Sequence, residues 1–315
     1  MKEVKVYCII ATYNSMRWID KCLGSLRISS VKIHPVIIDN GSIDETVSHI
    51  IQNYPEVHLI VNDNNKGFGQ ANNQGIEYAY KNEASHFFLL NHDAWVYEDT
   101  IEKLVVVQEK YNIALVSPIH LNGSGDLFDY NYFTKIVIDE INREYVSDLI
   151  LDKIKPYYSV FKINAAAWLL SRKTIETIGG FDPIYFHYGE DGNYCQRIKY
   201  HNGVVAFVPD SYINHDRERQ GNMKVYKKNV TIMMLLFYYS DVNNNIWKID
   251  KNKVKIHLVN GKIALSFLFK LNFVDFIDLC KSYIIFFIKF PKMIKNIKTN
   301  KKIGSTWLNL DSTEL

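Results

Sequence analysis

The chain has 315 residues, 47% of them hydrophobic, enough to bury a large core in one big domain or a domain with an appendage. Its net charge of +3 is too balanced to argue for nucleic acid, and Cys8, Cys22, Cys195 and Cys280 form no CxxC pair. MKEVKVYCII carries no signal-peptide pattern and no apolar run nears the ~20 residues that span a bilayer, so these cysteines read as reduced thiols of a cytoplasmic protein.

KVYCIIAT is a near-continuous apolar run, as expected of a strand buried on both faces, and it breaks at Tyr13-Asn14-Ser15. A helix follows, with Trp18, Ile19, Cys22, Leu23 and Leu26 at spacings of three and four and Asn14 or Ser15 as its cap. HPVIID is a second strand ending at Asp39-Asn40-Gly41-Ser42, and Asp44 caps the next helix. VHLIVN is a third strand. The Gly-rich NNKGFGQANNQG comes next, then a helix over IEYAYKN. HFFLLN is a fourth strand and ends at Asn91-His92-Asp93. Strand and helix in alternation with short connections predict a parallel sheet covered on both faces. From about Val116 to Ile163 the pattern is less regular. From about Tyr226 the texture shifts to Ile, Phe, Leu and Lys at helical spacing, a helical appendage.

Ligands of open α/β sheets bind at the carboxyl ends of the strands. Four polar clusters fall there: Thr12-Tyr13-Asn14, Asp39 to Ser42, Lys66-Gly67-Phe68-Gly69 and Asn91-His92-Asp93. One such cluster would be ordinary turn chemistry, whereas four together read as a binding rim. The first turn, ATYNSM, has no GxGxxG, and no GxxxxGK[ST] occurs, which disfavours hydride transfer and P-loop nucleotide hydrolysis.

ATYNS, IIDNGSIDET, NKGFGQANNQG and FLLNHDA, in that order, resemble the nucleotide-sugar half of the inverting glycosyltransferases of family two, which have the GT-A fold. WLLSRKTIETIGGFDPIYFHYGED, followed by INHD, is similar to the acceptor half, and the whole looks like bacterial rhamnosyltransferase-like members that build surface polysaccharides. The resemblance implies an α/β GT-A fold, a Rossmann-like, mostly parallel sheet flanked by helices. Residues 1–225 would form it, about 1–115 as nucleotide-sugar half and 116–225 as acceptor half, with 226–315 a helical, basic and aromatic region.

The same resemblance implies site roles. Thr12, Tyr13 and Asn14 would line the base and ribose of a UDP- or dTDP-sugar. Asp39, beside Gly41, would accept from the pyrimidine N3–H; its alternative role is to cap the Gly41-Ser42 turn. Gly67 and Gly69 would let the backbone approach the donor, with Lys66 and Asn73 nearby. Asn91 would orient ribose or sugar. Asp93 would hold Mg²⁺ or Mn²⁺, since hard cations take carboxylates, and His215 would close that metal site. Arg217 and Arg219 would grip the diphosphate. Asp191 would be the base that deprotonates the acceptor, with Glu190 binding acceptor or orienting the loop; the alternative is an acid pair favoured by a helix dipole. Trp168, Phe186, His187 and Tyr188 would shape the acceptor side, core packing being the other account of Trp168.

Near the end, Lys281, Lys289, Lys292, Lys295, Lys298, Lys301 and Lys302 interleave with Tyr283, Phe286, Phe287 and Phe290. A basic helix with an aromatic face suits an anionic membrane surface, here the inner face of the cell membrane, and a saccharide or lipid-linked saccharide acceptor. The alternative is packing on the catalytic domain or on a second copy, giving a homodimer. Two rivals stand beside sugar transfer: a sugar-nucleotide pyrophosphorylase, whose Gly-rich basic first turn is missing here, and a non-catalytic sugar-nucleotide or glycan-binding module.

Overall fold

Alternation along the apolar runs divides each central strand between two cores. In the computed structural model, which describes residues 4–137, 143–217, 223–248 and 250–310, the first strand is β1 (Val6–Thr12). Its Val6, Cys8 and Ile10 enter one apolar cluster while Tyr7 and Ile9 enter the other. The period of two that places side chains on opposite faces is thus used fully, and both faces are dry.

After β1 come α1 (Ile19–Arg27), β2 (Ile33–Asp39), α2 (Thr46–Asn53), β3 (His58–Val61), α3 (Phe68–Lys81), β4 (His86–Leu90), β5 (Ala94–Val96), α4 (Thr100–Tyr111) and β6 (Leu115–Asn122). A single turn, α5 (Tyr130–Tyr132), runs into a π turn (Phe133–Val137) and is followed by α6 (Arg143–Ile150) and β7 (Tyr158–Ser159). Then come β8 (Ala167–Ser171), α7 (Arg172–Ile178), α8 (Glu190–Tyr200) and β9 (Val205–His215). Three helices end the chain: α9 (Met223–Tyr239), α10 (Lys251–Phe269) and α11 (Phe273–Asn300).

The sheet order is β3-β2-β1-β4-β8-β6-β9-β5, with β7 pairing β9. Strands β1 to β4 are parallel, as expected, but β8 lies antiparallel between β4 and β6, and β5 antiparallel beside β9. The order reverses between β1 and β4, the kind of switch point where open α/β sheets bind ligands. Two local expectations change. Helix α3 begins at Phe68, inside the Gly-rich stretch and eight residues before Ile76, because Gly67 at φ +83° turns the chain directly into it. Helix α1 is started by the Ser15 carbonyl, which accepts from the Trp18 and Ile19 amides, rather than by the Ser15 or Asn14 side chain.

The carboxyl-terminal helices build a third cluster around Leu235, Leu236, Phe286 and Met293 that takes in Ile184 and Tyr185 of the loop before α8. Asp182 in that loop accepts from Asn296 (2.5 Å) and Asn300 (2.8 Å) on α11. Beyond α11 the chain returns to the sheet. The Gly180 amide donates to the Thr306 carbonyl, buried Arg197 donates to Thr306 Oγ1 and to the Gly180 and Ile178 carbonyls, and Leu308 packs on the core that holds Tyr7 and Ile9.

Candidate active site

The pairing of β5 with β9 sets Ala94 opposite His215, so Asp93, one residue before the strand, meets the histidine that ends β9. His215 Nε2 lies 3.3 Å from Asp93 Oδ1. On its other side His215 Nδ1 is 3.7 Å from Asp129 Oδ2 and 3.3 Å from Arg217 Nε, and Arg217 Nε is 3.5 Å from the same Asp129 oxygen. Burial opposes ionisation of Asp93, yet His215, His92 and Arg217 hold its carboxyl down to about 2. Two ligands at right angles on one Mg²⁺-sized ion stand about 3 Å apart. Asp93 and His215 therefore fit as neighbours in a coordination sphere. Among the described residues no set of three or more histidine, cysteine or acidic side chains is arranged to hold an ion, so further oxygens would have to come from a ligand or water.

Behind this pair, residues that the sequence did not flag hold the geometry. Asp129 caps the one-turn α5 through its Oδ1, leaving Oδ2 for His215 and Arg217. Asp216 accepts from Trp18 Nε1 (3.0 Å), lies 3.7 Å from Arg17, and donates its amide to the Asp93 carbonyl (2.8 Å). Locally, Asp129 reads only as an N-cap and Asp216 as a loop acid. Arg219 lies outside the described residues.

Asp39 is buried at the end of β2 with four donors on it: Thr12 Oγ1, the Gly41 and Ser42 amides and Ser42 Oγ. These saturate a carboxylate, so the turn-capping role is present in full. Next to it Tyr13 is 45% exposed, and Asn14, at φ +51°, accepts from the Ile43 amide. Lys66 is half-buried just before Gly67, and Asn91, also half-buried, donates its amide to the Ala166 carbonyl.

The start of α8 closes the rim from the other side. A Cβ on Gly67 would overlap the Phe186 carbonyl oxygen, and one on Gly69 would lie 3.0 Å from Phe181 Cβ and 3.9 Å from Glu190 Cβ. These glycines make room for the loop before α8 rather than for a ligand. Asn73, expected beside the donor, instead pins that loop, accepting from the Phe181 amide (2.7 Å) and donating to its carbonyl (2.9 Å). Trp168, expected at the acceptor side, has no exposure and stacks on Phe181 with ring centres 6.1 Å apart, because Trp168 and Leu170 of β8 point into the core that holds Tyr7 and Ile9. Phe186, His187 and Tyr188 are exposed, with Tyr188 at φ +68°, and the rings of His187 and Tyr188 are 3.9 Å apart.

Gly189 at φ +95° then leads into α8, whose first residues are Glu190 and Asp191. Glu190 is 6% exposed; burial, then the neighbouring Asp191 charge, raises its carboxyl to about 8. Asp191 is half-buried and Oδ1 accepts from the Gly192 amide (2.6 Å). The start of α8 thus offers one buried acid, held toward its neutral form, beside a more accessible carboxylate.

Residues 7–179 match the model of Glycosyl transferase family 2. The chain belongs to glycosyltransferase family 2. Among relatives, it is 22% identical over 262 residues to the dTDP-rhamnosyl transferase RfbF of Shigella flexneri, covering 83% of this chain and 85% of that one. It is 24% identical over 196 residues to the low-salt glycan biosynthesis hexosyltransferase Agl10 of Haloferax volcanii, covering 62% and 61%. In structure it is similar to the mannosyltransferase PcManGT of Pyrobaculum calidifontis, solved with GDP-Man and Mn²⁺: TM-score 0.56, 16% identity, 88% of this chain and 73% of that one. It also matches S. aureus TarS in complex with UDP-GlcNAc, at TM-score 0.55 and 14% identity over 80% of this chain and 69% of that one. The family 2 enzyme is accordingly a glycosyltransferase of GT-A fold, with a sheet flanked by helices and a carboxyl-terminal helical region.

Proposed function

We propose that this glycosyltransferase moves a sugar, with inversion, from a UDP- or dTDP-sugar to a hydroxyl of a saccharide or lipid-linked saccharide in surface polysaccharide synthesis. The observation that carries the reading is the Asp93–His215 pair, 3.3 Å apart where the chain leaving β4 meets the end of β9. Tyr13 and Asn14 would receive the base and ribose, with Asp39 holding their turn in shape. Asp93 and His215 would hold Mg²⁺ or Mn²⁺, which when bound neutralises charge growing on the diphosphate. Arg217, held by Asp129, would add a fixed cation to the same oxygens.

Asp191 would take the acceptor's proton as the hydroxyl oxygen bonds to the anomeric carbon on the face opposite the nucleotide. The bond from that carbon to the diphosphate oxygen breaks, and its electron pair leaves with the diphosphate. Glu190, neutral at pH 7, puts no second negative charge beside the base. His187 and Tyr188 offer exposed ring faces for the acceptor sugar. A panel of UDP-, dTDP- and GDP-sugars, with and without Mn²⁺, scored for binding and hydrolysis, tests this. Metal-dependent binding of a pyrimidine nucleotide is expected; a panel in which none binds overturns the reading.

A further inference from the structure

Much of the basic-aromatic stripe that the sequence singles out is turned inward. Phe286 is buried, Tyr283 and Phe290 pack against the third core, and Lys289 Nζ donates to the Ile184 carbonyl (3.0 Å). Phe287 of the stripe stays 66% exposed, and the exposed apolar surface extends further out, where α10 and α11 form a hairpin. Between Gly261 and Lys281 no residue is buried, yet 13 of these 21 residues are hydrophobic. At the tip, Phe269 is 87%, Leu271 74%, Phe273 55% and Val274 71% exposed. A helix rises about 1.5 Å per residue, so the end of α10 stands roughly 14 Å beyond Asn260, its last buried residue. Contiguous apolar surface of this kind marks a contact with a protein or a membrane.

Charge decides which. Residues 251–302 contain twelve lysines and two aspartates, a net +10 in a chain whose total is +3, which leaves −7 on the rest. Two copies of the hairpin would bring like charges together, whereas an anionic lipid surface matches both the lysines and the apolar tip. We infer that the α10–α11 hairpin docks this protein on anionic bilayers, with Phe269, Leu271, Phe273 and Val274 entering the interface and Lys262, Lys270 and Lys281 meeting the headgroups. None of its helices is long and apolar enough, among the described residues, to cross a membrane, so the contact is a seat on one leaflet. The hairpin is tied through Asn296, Asn300 and Lys289 to Asp182 and Ile184, in the loop that leads into α8 and its Glu190 and Asp191. Docking therefore fixes the rim's orientation at the lipid surface. The inference stands apart from the choice of donor sugar.

Flotation of the full chain with phosphatidylcholine vesicles, with and without phosphatidylglycerol, tests it. The wild type is expected to float with the anionic vesicles only, and to detach as salt is raised. The double variant Phe269→Asp/Phe273→Asp, at surface positions that leave the core intact, should lower the bound fraction about tenfold or more. Lys262→Glu/Lys270→Glu should weaken binding to anionic vesicles alone. Unchanged far-UV circular dichroism would show that both variants fold. Equal flotation of wild type and the phenylalanine variant overturns the inference, as does equal binding to neutral vesicles. If the phenylalanine variant instead turns a dimer into a monomer and floats as before, the hairpin's partner is a second copy, and the inference is overturned in its favour.

Discussion

Replacing Glu190 by glutamine should make the protein more stable relative to wild type as pH rises. The folded chain keeps a proton on Glu190 up to about 8, whereas an exposed glutamate releases it near 4.5. Between those values the folded state binds one proton more than the unfolded state, so raising pH costs about 1.4 kcal/mol of stability per pH unit. The accumulated cost above both values is on the order of 4–5 kcal/mol. Glutamine has the shape of the neutral acid and nothing to titrate. Urea unfolding of wild type and Glu190→Gln at about pH 5.5 and about pH 8.5 should therefore show their difference moving by about 3 kcal/mol in the variant's favour. Parallel stability curves would refute the reasoning, since they would mean that Glu190 is already ionised and solvated in the folded protein.

Three further outcomes follow. Asp93→Asn should abolish the Mn²⁺ dependence of nucleotide binding while leaving the fold intact; titration calorimetry with and without the ion checks it, and an unchanged metal effect would place the ion elsewhere. Gly67→Ala should cost about 2 kcal/mol or more, because alanine pays both for φ +83° and for the overlap with the Phe186 carbonyl; denaturant midpoints measure it. Trp168→Ala should cost about 3–5 kcal/mol as a core cavity, while Trp168→Phe leaves the acceptor KM unmoved.

How much of this was legible in the sequence depends on the range of the interaction. The runs KVYCIIAT, HPVIID and HFFLLN announce doubly buried strands because burial on both faces requires apolar residues at every position. The insertion of β8 between β4 and β6 was not legible, since AWLLS has the same texture whichever way it runs. The approach of Asp93 to His215 depends on β5 pairing with β9 across more than a hundred residues, and only a family resemblance put the two together in advance. Trp168 and Asn73 show the opposite limit. An aromatic before a strand end and a polar residue after a Gly-rich turn suit a ligand or a core equally well, and only burial and hydrogen-bond partners separate the cases. Gly67 was rightly a place of close approach, but what approaches is the Phe186 carbonyl.

The most direct test of the account is Asp191→Asn, measured with a donor and an accepting saccharide. Without a base for the acceptor hydroxyl, transfer should fall by about 10²–10⁴-fold while Mn²⁺-dependent nucleotide binding changes little. Transfer at the wild-type rate would contradict it.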